Sequence, residues 1–177
     1  MRSKLIYLIF AISVLLAGFI IAICLAETVP NAGGVAHAVF AGMQAGGDGA
    51  ARLEHIGFYA YACQVLLLAL VVCLCALGIS DRYLTREFLW YMAGSFVLSL
   101  IVWEQMYSGH QTFLETGTTG YFLGFPVATA WQVYGSWVGA IPLIIIYSFG
   151  FRKFIYTKED EEKFNQLLAA QNKNKEQ

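Results

Sequence analysis

The stretch YFLGFPVATAWQVYGSWVGAIP, residues Tyr121–Pro142, has no charged side chain, yet it is interrupted by glycine, proline, glutamine and serine. It belongs to a longer run, from 116 to 151, that contains no Asp, Glu, Lys, Arg or His. A helix needs about 20 consecutive apolar residues to cross the bilayer core. The run is therefore long enough to span a membrane, and its interruptions need a separate explanation.

Three further charge-free runs precede it, at 5–26, 56–80 and 88–103, and the third reaches spanning length if its helix continues past Glu104 to Tyr107. Of the 177 residues, 58% are hydrophobic and only 13% are charged, whereas soluble domains carry about 25% charged residues. We predict an all-α integral membrane protein, a bundle of four transmembrane helices. The predicted spans are 5–26, 56–79, 87–107 and 127–150.

The basic residues indicate the orientation of the predicted spans. With the N-terminus inside, all of the eleven Lys and Arg residues except Arg52 fall on the cytoplasmic side, as the positive-inside rule requires. We expect a multi-pass protein of the cell (inner) membrane with both termini in the cytoplasm. The membrane domain would cover residues 1–156, with outer loops at 27–55 and 108–126.

The first apolar run has two interpretations. Arg2 and Lys4, followed by an apolar run that ends in small residues near Ala26, are typical of a cleaved secretory signal. The run is, however, longer than the roughly 7 to 15 apolar residues of such a signal. We therefore expect a retained helix.

Two segments outside the spans have recognisable patterns. In the first outer loop, residues 35–45 lie between glycine clusters and predict a short interfacial helix. Thr157 and Asp160 have the spacing of a capping box, with Asp in the usual place of Glu or Gln. We predict that 157–177 forms a short amphipathic cytoplasmic helix followed by a disordered tail at 172–177. The apolar face of that helix carries Phe164, Leu167 and Leu168.

Glu104 is an acidic residue near the outer end of the third span, with Tyr107 one turn further on. A carboxylate in a spanning segment usually faces the bundle or a water-filled cavity, because exposure to lipid is costly. Three roles stay open: a hydrogen-bonded carboxylate at the membrane edge, a proton or cation site, and a contact with a partner helix.

The three histidines, His37, His55 and His110, all fall on the predicted outer side. A copper or haem site is conceivable there, but no spacing between these residues is diagnostic of metal ligation. We expect ordinary interfacial histidines and no cofactor. No nucleophile, Walker or dinucleotide motif is present in the sequence, and no basic patch indicates nucleic-acid binding, so we do not expect an enzyme.

Small and polar residues recur at three- and four-residue steps along the fourth span. The Gly135-x-x-x-Gly139 pair has the spacing that lets two helix backbones approach closely. This face can pack inside the predicted bundle or against another protein. It carries Gln132, Gly135, Ser136, Gly139 and Pro142. Before it, Gly124, Phe125 and Pro126 predict a turn at the membrane interface that starts the helix.

Residues 123–147 also resemble a known family. Gly124-Phe125-Pro126, a following tryptophan, Gly135-Ser136 and the run ending at Tyr147 are similar to the last helix of the small accessory subunits of sodium/solute symporters. Those subunits have two spans, whereas four are predicted here. The resemblance implies a non-catalytic partner of a larger membrane transporter, bound through the Gly/Ser face of the fourth helix, and it transfers no substrate or ion site.

Two functional hypotheses follow. The first is an accessory or assembly subunit of a larger integral membrane protein, most simply a secondary transporter. The second is a small redox or ion-handling membrane protein that uses the outer histidines and Glu104.

Overall fold

The computed structural model describes residues 2–27, 29, 34–46 and 54–175, and this part of the chain is mostly helical. Arg52 lies outside the described residues. The helices are α1 Arg2–Leu25, α2 Gly57–Leu77, α3 Arg86–Thr116, α4 Val127–Phe149 and α5 Lys158–Lys175. Two short antiparallel hairpins complete the structure: β1 Val35–Ala36 with β2 Gln44–Ala45, and β3 Tyr121–Phe122 with β4 Phe125–Pro126.

Three of these helices, α1, α2 and α4, are long and apolar enough to cross a membrane. The helix α3 is longer, but it carries Arg86, Glu87 and Glu104 and is not among those three candidates. A mostly helical structure with three candidate membrane-spanning helices is therefore confirmed for the described part of the chain.

The four long helices pack in chain order, α1 on α2, α2 on α3 and α3 on α4. Phe19 of α1 contacts the rings of Phe58 and Tyr59 at the start of α2, so α1 and α2 are antiparallel. The helices α2 and α4 meet where the Tyr147 hydroxyl donates to the carbonyl oxygen of Cys75. The central helix of the arrangement is α3, with α2 and α4 on either side of it.

The best-buried core lies at the end of the helices that carries Arg82, Arg86, Arg152 and Lys153, here called the basic end. Phe88 is fully buried there, and its ring centroid lies 5.2 Å from that of Phe154. Ala76, Ile79, Leu84 and Met92 complete this cluster. The helices are thus held together most tightly at the basic end.

Further along α3 from the basic end, the backbone of α4 approaches α3 closely. Gly135 and Gly139 are buried against α3, and the Ser99 hydroxyl lies 3.5 Å from the carbonyl oxygen of Gly139. Both glycines therefore pack inside the chain, which is one of the two interpretations of the small-residue face. A π-helical stretch, Trp131–Gly135, immediately precedes the contact with Gly139.

The helix α3 does not end at 107 as predicted but continues to Thr116, so 108–116 is not part of a loop. Ser108, Thr112 and Thr116 each donate to the carbonyl four residues earlier, at 2.7, 2.9 and 2.7 Å. The carbonyl groups of the helix itself therefore satisfy these hydroxyls. For this reason the polar residues do not end the helix. The helix ends at Gly117, which adopts the left-handed conformation with φ 66°.

Two other segments also differ from expectation. Residues 35–45 form the β1–β2 hairpin and not a helix, because Gly42 and Gly46 adopt φ values of +84° and +75° that interrupt a helix. The terminal helix α5 extends to Lys175, so the disordered tail predicted from 172 is wrong up to that residue. No glycine or proline interrupts α5, and its residues are mostly good helix formers. Residues 176–177 lie outside the described residues.

The predicted capping box at the start of α5 is confirmed. The amide of Thr157 donates to Asp160 Oδ2 at 3.2 Å, and the amide of Asp160 donates to Thr157 Oγ1 at 3.4 Å. Two residues of the α2–α3 loop hold the same carboxylate, Tyr83 at 2.9 Å and Arg82 at 2.7 Å. The cap therefore also attaches α5 to the basic end.

The hydrogen bond from Tyr83, together with those from Thr157 and Arg82, lowers the pKa of Asp160 below its ordinary value. A carboxyl group with a lowered pKa stabilises the folded state above its unfolded pKa of about 3.9 and loses this effect as the pH falls toward the folded value. The attachment of α5 should therefore hold at neutral pH and weaken only in strong acid.

The two buried glycines of α4 should tolerate alanine differently. A methyl group at Gly139 would lie 3.7 Å from both Ser99 Oγ and Val102 Cγ2, whereas one at Gly135 would lie 2.7 Å from Trp131 Cε3 and 3.0 Å from Val102 Cγ1. We expect Gly135→Ala to be less stable than Gly139→Ala by about 1–3 kcal/mol because of overpacking. Thermal unfolding in detergent measures the difference, and equal midpoints would contradict the α3–α4 contact.

The substitution Thr157→Ala should loosen the first turn of α5. Loss of a threonine cap costs about 1 kcal/mol, which corresponds to roughly fivefold faster amide exchange by local opening. Hydrogen–deuterium exchange of residues 158–163 measures this. Thr119→Ala is the matched control, because among the described residues that hydroxyl bonds only to the adjacent Gly120 carbonyl. Unchanged exchange in Thr157→Ala would show that the cap does not hold the helix.

Candidate functional site

A groove opens along the middle of α3, between α2 and α4. Its volume is about 510 Å³, and we call it the central groove. Its walls include Gln64 and Leu68 of α2, Ser99 of α3, and Gln132, Ser136 and Ala140 of α4. Because α2 and α4 meet near Tyr147 but are separated along this part of α3, the groove is open at its side.

Polar side chains line this groove in the middle of otherwise apolar helices. Ser136 donates to the carbonyl of Gln132 at 2.6 Å and is satisfied within its own helix. Within the described ranges, the side-chain amides of Gln64 and Gln132 have no hydrogen-bond partner. The groove thus presents two amides that this part of the chain does not satisfy.

A second cavity of about 300 Å³ continues from the groove toward the β3–β4 hairpin. Its most prominent wall consists of three aromatic rings, and we call it the aromatic cavity. The ring centroid of Tyr61 lies 4.8 Å from that of Tyr107 and 5.9 Å from that of Trp103, which is 6.2 Å from Tyr107. His110, Gln111, Thr129 and Gln132 supply the polar part of the lining.

The carboxylate of Glu104 lies beside this cavity. The Tyr61 hydroxyl donates to Glu104 Oε2 at 2.8 Å, which joins α2 to α3. None of the ion pairs formed among the described residues involves Glu104. Of the three roles left open by the sequence, the structure shows the hydrogen-bonded carboxylate, and it places Tyr107 in the same aromatic group.

The three histidines do not form a cluster. His37 accepts the backbone amides of Val39 and Phe40 at 3.1 and 3.2 Å in the first hairpin, and His110 lines the aromatic cavity. Across the described ranges, no group of three or more His, Cys, Asp or Glu side chains is arranged to hold a metal ion. Within those ranges, His37, His55 and His110 therefore do not form a common metal site.

Two nitrogen atoms near the cavities are buried without a hydrogen-bond partner in the described structure, Trp103 Nε1 and His110 Nε2. An unsatisfied buried donor costs about 1–3 kcal/mol. Both side chains belong to the α3 wall that faces α2 and α4. The hydrogen bonding of this wall is therefore incomplete within the part of the chain that the structure describes.

The residues predicted to form one packing face are divided between two surfaces. Gly135 and Gly139 are buried against α3, whereas Gln132 and Ser136 are exposed; of these four residues, all but Gly135 also line the central groove. Pro142 lies inside α4. The part of α4 that borders the groove therefore combines polar and small residues, whereas the rest of its exposed surface is apolar, as at Trp137 and Ile141.

The predicted turn before α4 is the β3–β4 hairpin. Leu123 and Gly124 are its two turn residues, with φ values of +48° and +85°. Phe122 and Phe125 pack their rings on Tyr134, with centroids 6.1 and 6.0 Å away. Pro126 immediately precedes the first residue of α4, as predicted.

Sequence reasoning did not identify Tyr61, Gln64 and Trp103, although these residues line the two cavities. A usable signal was present for the first two, because Tyr61 and Gln64 are three residues apart and so share one face of an apolar helix. Trp103 gave no signal beyond the usual enrichment of tryptophan near membrane interfaces.

Comparisons with protein-family models, curated proteins and solved structures find no match to this chain. The function is therefore inferred from the geometry of the two cavities and from the residues that line them. The similarity of residues 123–147 to symporter accessory subunits stays a prediction.

We expect purified protein to carry neither haem nor a stoichiometric transition metal, because the described histidines are not brought together. An absorption spectrum should show no Soret band, and elemental analysis should find well below one copper or iron ion per chain. A stoichiometric metal that His110→Ala removes would contradict this expectation and would favour the redox hypothesis.

Proposed function

We propose that this chain is a non-catalytic accessory or assembly subunit of a larger membrane complex. The observation that carries the proposal is the central groove, which presents the amides of Gln64 and Gln132, unsatisfied among the described residues, within two apolar helices. In membrane proteins, such side chains usually form hydrogen bonds across helix interfaces, worth about 1 kcal/mol each. A transmembrane helix of another protein is the occupant that supplies them.

The dimensions of the groove support a helix as its occupant. Along α4 it extends from Leu143 to Gln132, a distance of roughly 16 Å at 1.5 Å per residue. Its α4 wall is built from small residues, Ser136, Gly139 and Ala140, which allow close approach of another backbone. The docking surface thus lies beside the glycine contact predicted from sequence, because Gly135 and Gly139 already pack on α3.

We further propose that the larger protein is a secondary transporter. The support is the resemblance of residues 123–147 to accessory subunits of sodium/solute symporters. That segment contains β4 and most of α4, including Gln132 and Ser136 of the groove.

The proposed topology has four spans, α3 in addition to the three candidates α1, α2 and α4, and both termini in the cytoplasm. At 1.5 Å per residue, α3 is about 46 Å long, more than the roughly 30 Å of a bilayer core. Arg82, Arg86, Arg152 and Lys153 at the basic end support a cytoplasmic location for that end of the helices. The protein would then be a multi-pass component of the cell membrane.

Site-specific photocrosslinking tests the groove as the docking surface. A benzophenone amino acid at Leu68 or Ser136 should crosslink to one and the same integral membrane protein. The adjacent positions Leu67 and Trp137 are matched controls, because they are 44% and 73% exposed and do not line the groove. Mass spectrometry of the crosslinked band should identify a secondary transporter.

A steric pair completes the test. Ala140→Trp should fill the groove and lower recovery of the partner in mild detergent at least tenfold. Ile141→Trp, on the exposed side of α4, should leave recovery unchanged. Equal crosslinking from all four positions, or full recovery with Ala140→Trp, would show that the groove is not the docking surface.

A further inference from the structure

The aromatic cavity differs from the central groove in what it can bind. Tyr61, Trp103 and Tyr107 form a continuous aromatic wall contributed by two helices, with ring centroids 4.8 to 6.2 Å apart. At about 300 Å³ the cavity is at the small end of ligand sites, which begin at about 300 Å³. It accommodates a small head group and not a helix.

One carboxylate, that of Glu104, is attached to the wall of this cavity without itself lining it. The Glu104 carboxylate accepts from Tyr61, one of the three rings, at 2.8 Å. No lysine or arginine is among the described residues that line the cavity, and Glu104 is in no ion pair within the described ranges. A negative side chain beside aromatic rings attracts a cation and disfavours a carboxylate or phosphate.

We propose that the aromatic cavity binds a methylated ammonium group. A cation within about 6 Å of an aromatic centroid is attracted by the negative face of the ring, and quaternary ammonium ions are bound by groups of aromatic rings in this way. Such an ion has no N–H donor, so it needs ring faces and a nearby negative charge and not a set of hydrogen-bond acceptors. The aromatic wall and Glu104 provide both.

Two sources carry this chemical group. One is the head group of a choline phospholipid, which reaches the cavity from the bilayer surface. The other is a free methylated-ammonium solute. The recognised chemistry is the same in both cases, and the two are separated by the probes used.

The test uses the full chain, purified in a maltoside detergent that has no ammonium group. Saturation-transfer NMR on the methyl protons of choline, titrated to obtain Kd, measures binding. We expect saturable binding of choline and at least tenfold weaker binding of 3,3-dimethyl-1-butanol, its neutral isostere. Dihexanoylphosphatidylcholine, compared with dihexanoylphosphatidylglycerol, supplies the lipid arm.

Two variants locate the site. Tyr107→Leu removes one ring, and we expect choline to bind about 3- to 30-fold more weakly. Glu104→Gln keeps an acceptor for Tyr61, so folding should be retained, while choline should bind several-fold more weakly and with less dependence on salt. Tyr121→Leu is the matched control, because this tyrosine is 74% exposed on the hairpin and does not line the cavity.

Saturable binding of either choline or the choline lipid, weakened by both variants, supports the proposal and identifies the source. The proposal fails if the neutral isostere binds as well as choline, if both variants stay within twofold of the wild-type chain, or if neither probe binds. Because no partner protein is in this assay, failure here is independent of the crosslinking result.

Discussion

The close approach of α4 to α3 at Gly139 determines where the other polar residues of the protein can lie. The Gly139 carbonyl lies 3.5 Å from the Ser99 hydroxyl, and a methyl group at Gly139 would be in van der Waals contact with Ser99 and Val102. The neighbouring positions Gln132, Ser136 and Ala140 then face the adjacent side of α3. The helix α2 occupies the other flank of α3 without covering them, and the result is an open groove.

The two ends of the helices are stabilised by different interactions. At the basic end, Phe88 and Phe154 form a buried core, and Asp160 is bound by Tyr83, Arg82 and the cap of α5. Toward the β3–β4 hairpin, α2 and α3 are joined by aromatic contacts and by the hydrogen bond from Tyr61 to Glu104. One end is therefore fixed by burial, while the other keeps two accessible cavities.

Much of the helical framework could be predicted from the sequence, because bilayer thickness sets a minimum length for any charge-free helix. The start of α4 after Pro126 and the capping box of Thr157 were also readable, since both are local patterns. The end of α3 could not be predicted, because the hydroxyl groups of its last residues, which suggest a loop in the sequence, are hydrogen-bonded to their own helix. Periodicity likewise grouped Gly139 with Ser136, since it shows which residues share a face but not which helix covers them.

The central groove and the aromatic cavity are not independent surfaces. Trp103 and Gln132 line both of them, one from α3 and one from α4. A helix docked in the groove would contact the side chains that bound the cavity, and a cation in the cavity would fix the same side chains. If both proposals hold, linkage requires that each occupant change the affinity of the other by the same factor. Gln132 and Trp103 are therefore the side chains through which an occupant of the groove would affect the cavity.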